Sequence, residues 1–126
     1  MPAYLIVATV LITLALVFYT VGVWSERIQR YLKSWHLAAF WLGLVFDAAG
    51  TYAMELLLPG WRWDFHTLTG LAAFLLMFAH AVWASWVVRR GTEEVRGGFH
   101  RYSMVVWLVW LVPYLGGMFA GMSAGR

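Results

Sequence analysis

Four long runs of apolar residues, separated by short polar connectors, make up most of the chain. Each run has about the 20 residues that a helix needs to cross a bilayer, and lipid offers an open backbone no hydrogen-bond partner. Short connectors and an even number of runs predict one all-α membrane domain, residues 1–126, folded as an up-down bundle of four transmembrane helices. The predicted helices cover about residues 3–24, 36–58, 65–88 and 102–122.

The composition favours lipid over water as the surrounding medium. Hydrophobic residues make up 63% of the chain and charged residues 12%, whereas a soluble domain carries about 25% charge. Too few polar side chains remain to cover a water-facing surface. The sequence has no cysteine, which excludes disulfides, thiolate chemistry and iron–sulfur ligation.

The basic residues are concentrated in the first and third connectors, which hold three and four of the nine lysines and arginines. The positive-inside rule therefore predicts that both connectors are cytoplasmic and that the N- and C-termini lie outside. The same confinement to short clusters between apolar runs argues against nucleic acid as a partner.

The four histidines, His36, His66, His80 and His100, lie in or beside the last three predicted helices. His66 and His80 share one helix face but lie about 21 Å apart along its axis, a spacing that resembles the transmembrane di-haem cytochromes b. His80 lies about 13 Å inside its helix, where ionisable residues are rare and usually functional. The other three are equally compatible with positions at the membrane interface or at a helix start.

On three helices the histidines share a face with small, sulfur-containing or aromatic residues, as a porphyrin site in a helical bundle requires. Small residues on a membrane helix also serve ordinary helix packing, and this alternative stays open. The four histidines are the candidate iron ligands. The other candidate haem-binding residues are Gly43, Asp47, Gly50, Met77 and Tyr114.

The heights of the histidines decide which of them can share one iron. Counted from the turn at Pro59 and Gly60, His36 and His80 differ by about 5 Å along the bundle axis, so they are the leading pair. If the connector runs as far as Asp64, the offset grows to about 9 Å and the pairing weakens. His100 is the alternate ligand. The count places it about 13 Å closer to the cytoplasmic edge of the bundle than His80. A second haem on the outer side would use His66.

Asp47 falls near the middle of the second predicted helix, where a carboxylate must be protonated or hydrogen-bonded inside the bundle. Its expected partners are Tyr114, Trp110, Thr13 and Thr20. Three roles stay open for Asp47: it supports a haem ligand, it takes part in a proton relay, or it makes a simple polar contact between helices. Near the C-terminus, Gly117 and Gly121 form a Gly-x-x-x-Gly match that is compatible with a homodimer.

Three segments carry a resemblance to a known family. They are Trp35-His36 through Asp47-Ala48-Ala49-Gly50-Thr51, His66-Thr67-Leu68-Thr69-Gly70 through Met77-Phe78-Ala79-His80, and Phe99-His100-Arg101-Tyr102-Ser103 through Pro113-Tyr114. Their pattern resembles the small heme-sensing membrane proteins of bacteria known as HsmA. The resemblance implies a multi-pass protein of the bacterial cytoplasmic membrane that binds haem and protects the cell against haem toxicity and oxidative stress. It assigns no axial ligands.

The sequence thus predicts a membrane protein that binds one haem b, with two haems as the alternative, and that limits haem and oxidative stress. We expect a haem-binding protein rather than a dedicated enzyme, and an oxidoreductase if it is an enzyme. One alternative is a cytochrome b561-like electron-transfer protein with quinone as its partner. The other is a cofactor-free transporter or assembly subunit with a proton path through Asp47 and His80.

Overall fold

The computed structural model describes residues 3–57 and 65–124, and within them it leaves out the side chains of residues 4, 5, 54–57, 65–67 and 117–124. The described chain is all helical, which confirms the predicted fold class at that level. It forms four long helices and one short one. These are α1 (Ala3–Gln29), α2 (Ser34–Leu57), α3 (Phe65–Arg90), α4 (Glu93–Gly98) and α5 (His100–Ala124).

Helices α1 and α2 form the closest pair of the bundle. A methyl group built at Gly22 of α1 would lie 2.7 Å from Phe40 of α2, and one built at Gly50 of α2 would lie 2.6 Å from Ile12 of α1. Because residue numbers fall along α1 as they rise along α2, the two helices are antiparallel. Glycine at these points lets the two backbones approach more closely than larger residues would allow.

The four long helices close into a ring. Helix α3 packs on α2 and on α5, and α5 also packs on α1, while the contact between α2 and α3 is much sparser than that between α1 and α2. On the α1–α5 side, Trp107 Nε1 donates a hydrogen bond of 3.0 Å to Thr20 Oγ1. Chain neighbours thus lie side by side, in the order that short connectors dictate.

The first and third connectors hold more helix than the sequence predicts. Helix α1 continues to Gln29 rather than ending near residue 24, and α4 forms inside the third connector. Thr92 caps α4 by accepting a hydrogen bond of 3.2 Å from the Val95 N–H, and two glutamates in the first turn favour the positive end of the helix dipole. The prediction missed both segments because it treated polar residues as loop.

Connector one and α4 are joined at one end of the bundle. The Leu32 N–H donates to the Arg96 carbonyl at 3.1 Å, and the Arg96 guanidinium donates two hydrogen bonds, of 3.0 and 2.8 Å, to the Leu32 carbonyl. The same guanidinium lies 4.5 Å above the Tyr31 ring. We call this set of contacts the Arg96 clamp. It holds the two basic connectors together on one side of the molecule.

Within the described residues, two helical stretches are long and apolar enough to cross a membrane. They are Ile6–Gln29 and Leu68–Arg90. The other two predicted spans, at residues 36–58 and 102–122, run into residues whose side chains are not described.

Candidate functional site

Most of the buried polar side chains in the described part of the bundle gather at the end that carries the Arg96 clamp. Of the six such residues, only Asp47 lies apart from the others. We call the remaining five the histidine layer. Its members are Glu26, His36, His80, His100 and Ser103.

Three helices meet in a hydrogen-bonded chain at the centre of this layer. His80 Nε2 on α3 lies 2.8 Å from Ser103 Oγ on α5, and Ser103 Oγ donates a 2.5 Å hydrogen bond to Glu26 Oε1 on α1. Since a hydroxyl has one proton and gives it to the carboxylate, His80 must donate from Nε2. Two buried atoms, His80 Nδ1 and Glu26 Oε2, then have no hydrogen-bond partner among the described residues.

His36 joins the layer from the first turn of α2. The Lys33 N–H donates a hydrogen bond of 2.9 Å to His36 Nδ1, so a neutral ring carries its proton on Nε2. His36 Nε2 is buried and has no partner in the part of the chain that the structure describes. Gly22 of α1 faces Phe40 of α2. Glu26 follows Gly22 by four residues and His36 precedes Phe40 by four, and both steps lead toward the connector. Glu26 and His36 therefore lie at about the same height.

His100 lies close to the height of His80, and the predicted offset of about 13 Å is wrong. His100 precedes Ser103 by three residues, or about 4.5 Å along the axis, and Ser103 contacts His80. The count failed because α4 folds back beneath α3 and carries the fully buried Phe99 against His80. The two rings stack with centroids 5.4 Å apart. His100 Nδ1 lies 3.2 Å from an Arg27 guanidinium nitrogen.

Aromatic and apolar side chains fill the space around the histidines. The Phe40 ring lies 4.7 Å from the His80 ring, centroid to centroid, and Met77 is fully buried in the core one turn away. Tyr114 lies about three turns further from the connectors than Ser103, where it stacks on Trp110 at 5.5 Å. The structure therefore gathers three histidines and leaves Tyr114 outside the layer.

Two of the remaining predictions fall outside the described side chains. His66 belongs to the first turn of α3, but its side chain is not described. The Gly-x-x-x-Gly match at Gly117 and Gly121 likewise lies outside the described side chains.

Asp47 is hydrogen-bonded inside the bundle, as its position requires. Its Oδ2 accepts hydrogen bonds of 3.0 Å from the Tyr19 hydroxyl and 2.9 Å from Trp110 Nε1. Trp110 was among the expected partners and Tyr19 was not. Tyr114 pairs with Thr13 instead, at 3.4 Å. Asp47 thereby links α1, α2 and α5, and no hydrogen bond between described residues joins it to the histidine layer.

The two glycines of α2 that the sequence assigned to a porphyrin face are turned toward α1. A methyl group at Gly43 would overlap the Tyr19 ring, and one at Gly50 would meet Ile12. Close helix packing, the alternative that the sequence left open, accounts for both glycines in this structure.

The sequence interpretation missed Glu26 and Ser103. Glu26 continues the buried stripe of α1 that contains Ala15, Tyr19 and Val23, at spacings of three or four residues that define one helix face. That periodicity is a signal that it points inward. Ser103 lies three residues after His100 and carries no comparable signal.

The chemistry available in the layer is that of imidazole nitrogens beside a carboxylate in apolar surroundings. Such nitrogens bind haem iron or transfer protons. No group of three or more His, Cys, Asp or Glu residues in the described chain is arranged to hold a metal ion. Comparison of the chain with protein-family models, curated proteins and solved structures finds no match.

Proposed function

We propose that all four long helices span a bacterial cytoplasmic membrane, with connector one and α4 on the cytoplasmic side and both termini outside. Large apolar side chains point outward from every long helix, whereas soluble monomers rarely expose apolar patches beyond a few hundred Å². The Arg96 clamp supports placing both basic connectors on the same side. Outward-facing examples, one from each long helix, are Val10, Val45, Leu75 and Val112.

Single cysteines test this topology, because the chain has none of its own. We expect Lys33→Cys to be protected from an impermeant thiol reagent in intact cells and Gly60→Cys to react with it. The parent protein is the unlabelled control. Reaction of both cysteines from the same side of the membrane would overturn the four-span arrangement.

We further propose that the protein binds haem b through the histidine layer, to limit haem and oxidative stress. One observation carries the proposal: His36 and His80, on neighbouring helices and at similar heights, each keep a buried ring nitrogen that has no partner among the described residues. A buried polar atom left unpaired costs about 1–3 kcal/mol, so its retention indicates a missing partner. Haem iron accepts imidazole nitrogens as axial ligands.

The donor atoms suit haem, but the surrounding packing must adjust to admit it. His36 offers Nε2, while His80 Nε2 is held by Ser103, which leaves Nδ1 as its free nitrogen. The Phe40 ring lies against His80, so a flat macrocycle requires that ring to move. When bound, haem supplies redox chemistry that the protein controls through position and polarity.

Histidine substitutions test the haem proposal. We expect His36→Ala and His80→Ala each to lower the ratio of haem to membrane-inserted protein at least tenfold, and His100→Ala to lower it less. Loss of one axial nitrogen removes one of the two iron–protein bonds. Loss of haem in His66→Ala alone, about 21 Å from His80, would move the site to the outer side. Full haem content in both the His36 and the His80 variant would refute the assignment.

A cofactor-free proton path is the second candidate, favoured by the chain from His80 through Ser103 to Glu26. A proton accepted at His80 Nδ1 lets Nε2 pass its own proton to Ser103 Oγ, which passes its hydroxyl proton to Glu26 Oε1. Purified protein with a Soret band favours haem, and rapid reduction by quinol would add the quinone-linked role. Protein without this band, but with a proton flux that Ser103→Ala abolishes, favours the relay.

A further inference from the structure

A groove runs along the outer face of the last turns of α3. This open groove has a volume of about 440 Å³, and its lining residues are Val82, Ser85, Trp86, Arg89 and Arg90. Trp86 is 55% exposed and Val82 is 46% exposed. Trp41 of α2 borders this region, because its Nε1 donates a hydrogen bond of 3.0 Å to Ser85 Oγ.

The two arginines at the end of this groove have no charged partner in the described chain. Arg89 and Arg90 are both exposed, and neither forms an ion pair or a hydrogen bond through its guanidinium with a described residue. Glu93 and Glu94 follow closely in sequence, but they form no ion pair with either arginine. An adjacent pair of uncompensated positive charges therefore lies where α3 reaches the basic end of the bundle.

Polarity changes in one direction along the groove. Val82 lies furthest from the connectors, Trp86 follows one turn later, and the arginines come last, after about another turn. Tryptophan is enriched where acyl chains give way to headgroups, and arginine suits the phosphate level. The same order, from apolar through interfacial to charged, describes a phospholipid from its acyl chain to its headgroup.

We propose that this groove is a binding site for an anionic phospholipid of the cytoplasmic leaflet. The phosphate lies at Arg89 and Arg90, and an acyl chain lies along Trp86 and Val82. Charge complementarity favours an anionic lipid over a zwitterionic one, because no described acidic residue forms an ion pair with either arginine and a lipid phosphate can take that place. Ser85 takes no direct part, since its hydroxyl already donates to the Ala81 carbonyl at 2.8 Å.

The site rests on the proposed membrane insertion but not on haem binding. The test uses full-length protein in phosphatidylcholine vesicles, after cysteine labelling has verified its topology. Electron paramagnetic resonance of spin-labelled phosphatidylglycerol, compared with spin-labelled phosphatidylcholine, measures lipid selectivity at the protein surface. We expect the parent to prefer phosphatidylglycerol over phosphatidylcholine. The double variant Arg89→Gln/Arg90→Gln should lose this preference, because each arginine contributes roughly a fivefold difference in relative affinity.

A matched control separates a site from general electrostatic attraction. Arg30→Gln/Lys33→Gln removes two exposed charges from the same end of the molecule, and it should retain the selectivity of the parent. Equal loss in both double variants, or a parent without selectivity, would overturn the lipid site while leaving the verified insertion intact. Displacement of the lipid by millimolar inorganic phosphate would also overturn it, because the ligand would then be phosphate alone.

Discussion

Replacement of Gly43 by alanine is expected to lower the free energy of unfolding by about 2–3 kcal/mol, the upper part of the range for an overpacked core. The added methyl group would overlap the Tyr19 ring. That ring cannot easily move aside, because its hydroxyl is bonded to Asp47 and Trp110 packs edge-on against it at 5.0 Å. The strain must therefore separate α1 from α2 or break the contacts of Tyr19.

Reversible unfolding of the purified protein by SDS in mixed micelles measures this effect. Gly70→Ala is the matched control, because a methyl group at Gly70 meets nothing within 4 Å. Alanine is the better helix former, so this control should equal the parent or exceed it by up to about 1 kcal/mol. Equal stability of the Gly43→Ala variant and the parent would show that α1 and α2 do not pack this closely.

The second large effect is expected at Asp47. Asp47→Leu removes the acceptor of two buried donors, the Tyr19 hydroxyl and Trp110 Nε1. Each unsatisfied buried donor costs about 1–3 kcal/mol, so we expect a loss of about 2–6 kcal/mol in the free energy of unfolding. Asp47→Asn keeps a carbonyl oxygen at the same place and should retain most of the stability.

Comparison of the two Asp47 variants separates a packing role from a chemical role. If Asp47→Leu unfolds like the parent, the carboxylate has no structural role and the two hydrogen bonds contribute nothing. If Asp47→Asn folds normally but changes the haem content or proton flux, the charge or the proton of Asp47 takes part in function.

The sequence was sufficient to predict the features that follow from local periodicity. Apolar runs predicted the four long helices, and residue counting from the Pro59 turn placed His36 and His80 at similar heights, which fits the Phe40 contact with His80. Counting failed for His100, because α4 turns the chain back toward the bundle. A tertiary reversal of this kind depends on how Phe99 and Leu32 are buried, and this burial has no local sequence signature.

Glu26 shows a different limit of sequence interpretation. Its charge made it resemble a connector residue. It is nevertheless fully buried, because Ser103, which is far away in sequence but adjacent in the bundle, supplies a hydrogen bond. The assignment of Gly43 depended in the same way on Tyr19, which lies on another helix. Partners that are far apart in sequence decide whether a polar or small residue serves chemistry or packing, and a single sequence does not reveal them.

The unequal closeness of the helix pairs has a consequence for how a guest molecule reaches His80. Close contact makes α1 and α2 a stiff hairpin, whereas the sparser seams between α2 and α3 and between α1 and α5 separate with less loss of packing. The Arg96 clamp ties connector one to α4 at the end of the bundle that carries the histidine layer. In the proposed membrane arrangement, a planar, lipid-soluble guest would enter sideways between helices, and the amount dissolved in the bilayer, rather than in the cytosol, would determine how fast the protein fills.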